Sequence, residues 1–379
     1  MNASSNTLAL AMFSGGLDSI LAAKLIAEQG LKVLGLHFVT PFFGKPEKIP
    51  YWKKIYGLDI IPVDISEDFA RLLVERPVYG FGSVLNPCVD CKITMLRHAR
   101  RIMEESGACC VISGEVLGQR PMSQRRDTLN AIIRDSGLKG RLLRPLCAQH
   151  LDPTEPELAG VIDRSKLLGL SGRGRKGQME LAGRFALKEI PTPAGGCRLT
   201  EQENARSYWP LLRHAPSPSA DDFRLANTGR QYWHIEDGQA FWLIVGRKQA
   251  DNDALMELAA EGDLLFKTRD FPGPVALGRS FGTTWLAEAV NSAAAFTASY
   301  SGKAVRHAEE SRETLAVRVH QGSLDAQGDV VRVFPARELS TYPWKEYTWA
   351  AARDEIRSER PGGPASREQD SEQPHEVRH

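Results

Sequence analysis

Nowhere in this 379-residue chain does an apolar run approach the roughly 20 residues needed to cross a bilayer. A membrane partner is therefore not expected. Net charge is nearly absent as well, at +1, so any affinity for nucleic acid must come from local basic patches. Cysteine is scarce: six residues do not make a secreted disulfide scaffold, and a reducing cytoplasm is the expected location. The apolar start, "MNASSNTLALAMFSGG", lacks a basic n-region and runs into glycines, so it reads as a first strand and not a signal peptide. No internal repeat is visible. What is present, 42% hydrophobic and 25% charged residues, suits a soluble globular protein long enough for two domains.

The first two hundred residues alternate short apolar runs with helical patterns. "TLALAMF" reads as a buried strand and "DSILAAKLIAEQG" as a helix closed by Gly30. "KVLGLHF", "LDIIPVDIS", "ACCVISGE" and "GRLLRPL" supply four further strands, and a helix running from Asp90 ends at Gly107. Such alternation predicts an α/β domain, a parallel sheet with helices on both faces and its ligand at the C-terminal strand ends. "RHAPSPSADD" (213–222) reads as a linker. After it, "QYWHI", "AFWLIVG" and "DLLFKTRD" predict an antiparallel sheet in a smaller α+β domain. The expected boundaries are 1–205, a linker at 206–225, 226–350 and a disordered tail at 351–379, where apolar content is almost nil.

"FSGGLDS" (13–19) falls between the first strand and the first helix. Gly15 and Gly16 let backbone N–H groups turn toward phosphate, and Ser14 and Ser19 add hydroxyl donors. Asp18 can help hold a metal-bound pyrophosphate. These residues predict nucleotide binding. The loop resembles that of the N-type ATP pyrophosphatases, which have an adenine-nucleotide α-hydrolase-like fold and adenylate carbonyl oxygens. That resemblance implies ATP and Mg2+ at Ser14, Gly15, Gly16, Asp18 and Ser19, with His37 and Phe38 near the adenine.

"NPCVDCK" sets Cys88 and Cys91 two residues apart, a spacing open to zinc, redox, disulfide or iron–sulfur roles. Asn86 and Pro87 suit N-cap and N1 of the following helix. "SGEVLGQRPMSQ" (113–124), with Gly114 and Gln119, is similar to a segment of the 4-thiouridine synthetase family, as is "RPL" at 144–146. "NPCVDCK" itself resembles the reaction-centre segment of the 2-thiouridylases. "PAGGCRLT" adds Cys197 between Gly195, Gly196 and Arg198. Three thiolates with no fourth Cys or His beside them suit a 4Fe-4S cluster with one open iron. The cluster-free alternative is a persulfide on one cysteine, resolved by a second. Cys109, Cys110 and Cys147, in apolar strand contexts, read as core residues.

"DRSKLLGLSGRGRKGQ" (163–178) presents Arg173, Arg175 and Lys176 on a glycine-rich loop suited to a phosphate backbone. In the second domain, "GRKQADND" and "DLLFKTRDFPG" resemble the RNA-binding module of NFACT proteins, over about 226–335. "AAAFTASYSGKAV" fits that module's later helix and strand. Arg230, Arg247, Lys267, Arg269 and Arg279, with Trp233 and Phe271, combine cations with stacking surfaces, the pairing used for RNA. Trp242 and Phe266 read as core.

Together the resemblances imply an ATP-dependent tRNA uridine thiolase. Cys88, Cys91, Cys197 and Asp18 would be catalytic, the first three also ligating the cluster, and Arg173, Arg175, Lys176, Arg230, Arg247 and Arg269 would contact RNA. Its partners would be tRNA and a sulfur donor, free sulfide or a cysteine-desulfurase relay. A homodimer is one option for its assembly. A sulfur-insertion enzyme acting on a small molecule and a non-catalytic RNA- or ribosome-binding protein are the alternatives.

Overall fold

The computed structural model describes residues 7–120, 123–191, 196–324 and 328–358, and the chain divides into two compact units, Met1–Glu201 and Gln202–His379. In the first, β1 (Leu8–Met12), β2 (Lys32–Val39), β3 (Asp59–Asp64), β4 (Val111–Ile112) and β5 (Leu142–Leu143) form one sheet in the order β3-β2-β1-β4-β5. Every pairing is parallel, with Leu10 between Leu34 and Val111. This is the expected α/β sheet, with β4 and β5 shorter than their apolar runs. The order reverses between β1 and β4, which puts the crevice of a switch point between the loops that follow them.

The helices are α1 (Leu17–Ala27), α2 (Ile49–Tyr56), α3 (Ser66–Val74), α4 (Cys88–Ser106), α5 (Arg126–Ser136), α6 (Glu155–Leu158) and α7 (Lys176–Arg184). Side chains alternate between faces along β1. Ala9, Ala11 and Phe13 enter a core shared with α1, α2 and α7, whereas Leu10 and Met12 are buried outside it. Helix α4 packs on β1 and β4, with α3 and α5 at its sides.

The second unit is built on a six-stranded antiparallel sheet. Its strands are β6 (Arg230–Glu236), β7 (Gln239–Val245), β8 (Leu264–Thr268), β9 (Val275–Phe281), β10 (Leu315–Gln321) and β11 (Asp329–Val333), ordered β11-β10-β8-β9-β7-β6. Asp237 and Gly238, both at positive φ, close the β6–β7 hairpin in the manner of a type I′ turn. Its helices are α8 (Gln202–His214), α9 (Ala220–Ala226), α10 (Gln249–Glu257), α11 (Ala287–Ala298), α12 (Gly302–Ser311) and α13 (Trp349–Ser358). The alanine-rich α11 is buried against Phe241, Phe266 and Val317.

Three expectations are corrected here. The 206–225 segment is not an open linker: Tyr208 and Trp209 of α8 are fully buried, and Ser219 with Asp222 forms a capping box that starts α9. "SGKAV" opens α12 and not a strand, because Ser301 caps it by accepting from the Ala304 amide. Residues 351–358 of the expected tail belong to α13, where Ala352 and Ile356 are buried. The rest of that tail lies outside the described residues.

On the second face of this sheet Trp233 stacks on Trp242 at 5.3 Å, and Arg279 is sunk between Asp222 and Asp263. Its Nε donates to Asp263 Oδ1 at 2.9 Å. The triad ties α9 to the sheet, and removing one partner of a buried ion pair costs about 3–5 kcal/mol. Arg279→Leu is therefore expected to destabilise the second unit by about that amount, read by urea denaturation followed through tryptophan fluorescence. A loss below about 1 kcal/mol would assign the triad to the surface class.

Candidate active site

The loop between β1 and α1 has a geometry that the motif alone does not explain. Gly15 sits at φ +77°, and a Cβ there would stand 2.5 Å from the Trp52 ring. Trp52 packs edge-on against Phe13 and His37, so the loop's floor is aromatic. The Ser19 hydroxyl donates to the Gly16 carbonyl at 2.8 Å and accepts from the Ser14 amide at 3.3 Å. Gly16 caps α1 without any side-chain bond to the first-turn amides. That end of the helix is suited to phosphate oxygens.

Asp18 joins this loop to the one following β4. Gln119 Nε2 donates to Asp18 Oδ2 at 3.2 Å. A Cβ on Gly114 would stand 2.5 Å from the Asp18 carbonyl, so the two backbones touch directly. Asp18 Oδ1 is buried and has no hydrogen-bond partner. An unpaired carboxylate oxygen beside a phosphate loop fits a bound Mg2+.

His37 and Phe38, expected near adenine, are buried. His37 Nε2 accepts from the Lys45 amide at 2.8 Å, which leaves Nδ1–H to donate to the Phe13 carbonyl at 3.0 Å. Both ring nitrogens are thus used by the protein, and the side chain pins the strand end. Burial holds its pKa below the ordinary histidine value, against the Phe13 carbonyl and Glu47.

Cys88 is the first residue of α4, and Pro87, not Asn86, occupies the N-cap position. Asn86 is left to donate from Nδ2 to Cys88 Sγ at 3.1 Å. Cys197 lies on a turn held at two points: Arg198 N donates to the Phe42 carbonyl at 3.0 Å, and Leu199 O accepts from Leu85 N at 3.1 Å. These ties bring Cys197 toward Cys88 and Cys91. Burial pushes the Cys91 thiol well above its usual range, and the charges of Cys197 and Cys88 add to the shift while Lys92 opposes it. Cys197 is pushed up to about 12 by burial; the Leu199 amide works against that shift, and the charges of Cys88 and Glu201 add to it. Among the described residues, however, no three Cys, His, Asp or Glu side chains form a ready-made metal site. The donor set, three free thiols, fits a cluster in kind. Of the other cysteines, Cys110 and Cys147 are core, while Cys109 is only half-buried, 3.7 Å from Cys110 sulfur to sulfur.

Sequence reasoning missed a charged network between these two centres. Glu115, 4% exposed, accepts from Arg144 Nε at 3.0 Å and Ser113 Oγ at 3.1 Å, with Lys92 Nζ 3.7 Å away. Burial works against its charge, but Lys92 and Arg144 outweigh it and keep the carboxyl ionised. Lys92 follows Cys91 in sequence, so the network reaches from the Asp18 loop to the thiols. Its members lie in three quoted segments, "NPCVDCK", "SGEVLGQRPMSQ" and "RPL", but nothing in their spacing joins them.

Arg173, Arg175 and Lys176 stand just before and at the start of α7, on a loop that pairs Ser171 with Leu117. In the second unit the antiparallel register brings Arg230, Arg247 and Arg269 to one end of the sheet, since Arg230 faces Val245, and Val245 faces Ala276 beside the end of β8. All three are exposed; Arg230 lies over Tyr300, and Arg247 pairs with Asp251 at 3.2 Å. Trp233 and Arg279 are overturned as RNA contacts: one is core, the other the buried triad. Phe271 is partly buried against α12.

Residues 83–153 match the family model of the thiamine biosynthesis protein (ThiI), and residues 230–342 match that of the NFACT protein RNA binding domain. A probable tRNA sulfurtransferase of Thermococcus kodakarensis is 30% identical over 42% of this chain and 40% of its own. A tRNA-specific 2-thiouridylase MnmA of Nitratidesulfovibrio vulgaris is 40% identical over 24% of this chain and 27% of its own. The chain thus spans well under half the length of either relative. A solved 4-thiouridine synthetase–RNA complex with bound ATP covers 55% of this chain and 51% of its own, at 22% identity and a TM-score of 0.31, an overlay too distant to place its ligands here. Both motif resemblances, to the thiouridine-forming enzymes and to the NFACT module, are borne out. No described helix is long and apolar enough to cross a membrane.

Gly114→Ala should separate the two loops and weaken nucleotide binding at least about 10-fold, by calorimetry, because a methyl cannot fit against backbone. Since His37 is held neutral, its contribution to stability is present above its unfolded pKa of about 6.5 and is lost as pH falls below it. The acid slope of the first unit between pH 7 and 5 should flatten in His37→Asn; an unchanged slope would locate the titrating group elsewhere.

Proposed function

We propose that the chain is an ATP-dependent tRNA uridine thiolase. The observation that carries this reading is the meeting of Gly114 and Gln119 with Asp18, which couples a phosphate loop to the segment preceding Arg144, beside a helix that begins with Cys88. The amides of 15–17 and the hydroxyls of Ser14 and Ser19 hold the triphosphate, and Asp18 carries Mg2+, which neutralises charge on the departing pyrophosphate. A uridine carbonyl oxygen attacks the α-phosphorus; the bond to the β-phosphate breaks and pyrophosphate leaves. Sulfide sulfur then adds at the activated carbon, and the carbon–oxygen bond breaks to release AMP. Cys88, Cys91 and Cys197 hold the sulfur to be transferred, and Asn86 stabilises Cys88 by its N–H bond. A cluster on these three thiols would supply an open iron for the sulfide; the persulfide route would use two of them in turn. The second unit grips tRNA through Arg230, Arg247 and Arg269, and its binding energy offsets the few kcal/mol needed to unstack the target base.

Purified without oxygen, the protein should contain iron and acid-labile sulfide, and Cys88→Ala, Cys91→Ala and Cys197→Ala should each lower thiouridine formation by about 100-fold or more, since parts of one unit fail together. Absence of iron removes the cluster and leaves the persulfide. If all three variants keep full activity, neither route holds.

A further inference from the structure

The first unit carries an open cleft of about 690 Å3 that the thiolation chemistry does not account for. Leu117, Gly118, Arg125, Arg126, Asp127 and Asn130 line it. Its polar side chains are exposed, and the Arg125–Asp127 pair, at 3.4 Å with both partners about two-thirds exposed, restrains neither strongly. The basic loop is fastened to the cleft on two sides. Gly172 N donates to the Leu117 carbonyl at 2.8 Å; Arg126 Nη2 donates to the His150 carbonyl at 2.9 Å, and the His150 ring bonds the Gly169 carbonyl at 2.7 Å. Arg173 and Arg175 therefore leave the pinned stretch directly beside the cleft. On its inner side Gly118 is followed by Gln119, which touches Asp18. Buried Gln124, next to Arg125, keeps its Oε1 without a partner.

Resting on the reading that tRNA is the substrate, we propose that this cleft and its basic loop form the track for the tRNA segment flanking the target uridine. Its guanidinium groups take successive phosphates, and the exposed carboxamide of Asn130 suits a base edge or ribose hydroxyl, the chemistry of single-stranded RNA recognition. The charges extend beyond the cleft along the loop, a reach that a chain of nucleotides uses and a mononucleotide does not. The track ends one residue from the ATP loop, which orders the encounter: RNA enters past Arg125 and presents its base at Gln119 and Asp18.

The test is tRNA affinity of the full chain as a function of salt. Every phosphate of a single strand that the protein no longer neutralises lowers the slope of log affinity against log salt by about 0.7, so R125E/R126E should lower it by about 1 to 2 and weaken binding at least about 10-fold. ATP binding should stay unchanged. Because Arg126 also holds His150, Arg125→Gln serves as the variant that cannot disturb the loop, with a slope lower by about 0.7. Parent affinity and slope in both variants overturn the track, as does full displacement of tRNA from it by AMP. If the parent does not bind tRNA at all, the thiolase reading itself fails.

Discussion

Direct backbone contact between two loops is the constraint on which the first unit depends. At the switch point of the sheet the segment after β4 presses against the first turn of α1, and only a residue without a side chain, Gly114, allows it. That contact fixes Gln119 on Asp18 and leaves one carboxylate oxygen without a hydrogen-bond partner. It also sets Glu115 at the level where Arg144 and Lys92 converge, which carries the arrangement to the thiols. Phosphate loop, charged network and cysteines are thus one construction.

The network has a clear electrostatic logic. Cys91 and Cys197 resist ionisation, since burial and the charge of neighbouring thiols both oppose it. Lys92 is the cation on the other side of the balance, and Glu115 with Arg144 keeps it in place. A cation placed against these thiols would shift the balance toward thiolate.

How much of this was legible in sequence depended on whether the signal was local. "SGGLDS" carried its own turn, hydroxyls and helix start, and its place between β1 and α1 was read from it. The antiparallel strands were legible because aromatic and β-branched runs alternate with Gly and Asp turns. Strands β4 and β5 were read too long: their apolar runs continue into segments such as Ser113–Glu115 that leave the sheet to build the site. The 206–225 stretch misled because Pro, Ser and Asp mark helix starts as well as linkers, and only the burial of Trp209 separates the two. The role of Trp52 behind Gly15, the Arg279 triad and the convergence of Arg230, Arg247 and Arg269 come from residues distant in sequence, which spacing cannot reveal.

The central claim is that ATP activates a uridine oxygen which then leaves as part of AMP. A tRNA transcript with 18O in its uridine carbonyls, incubated with the protein, ATP, Mg2+ and sulfide, tests this most directly by mass spectrometry of both products. The account predicts one 18O in the AMP phosphate for each thiouridine formed, with pyrophosphate unlabelled. Thiouridine accompanied by unlabelled AMP, or AMP formed without thiouridine, would contradict it.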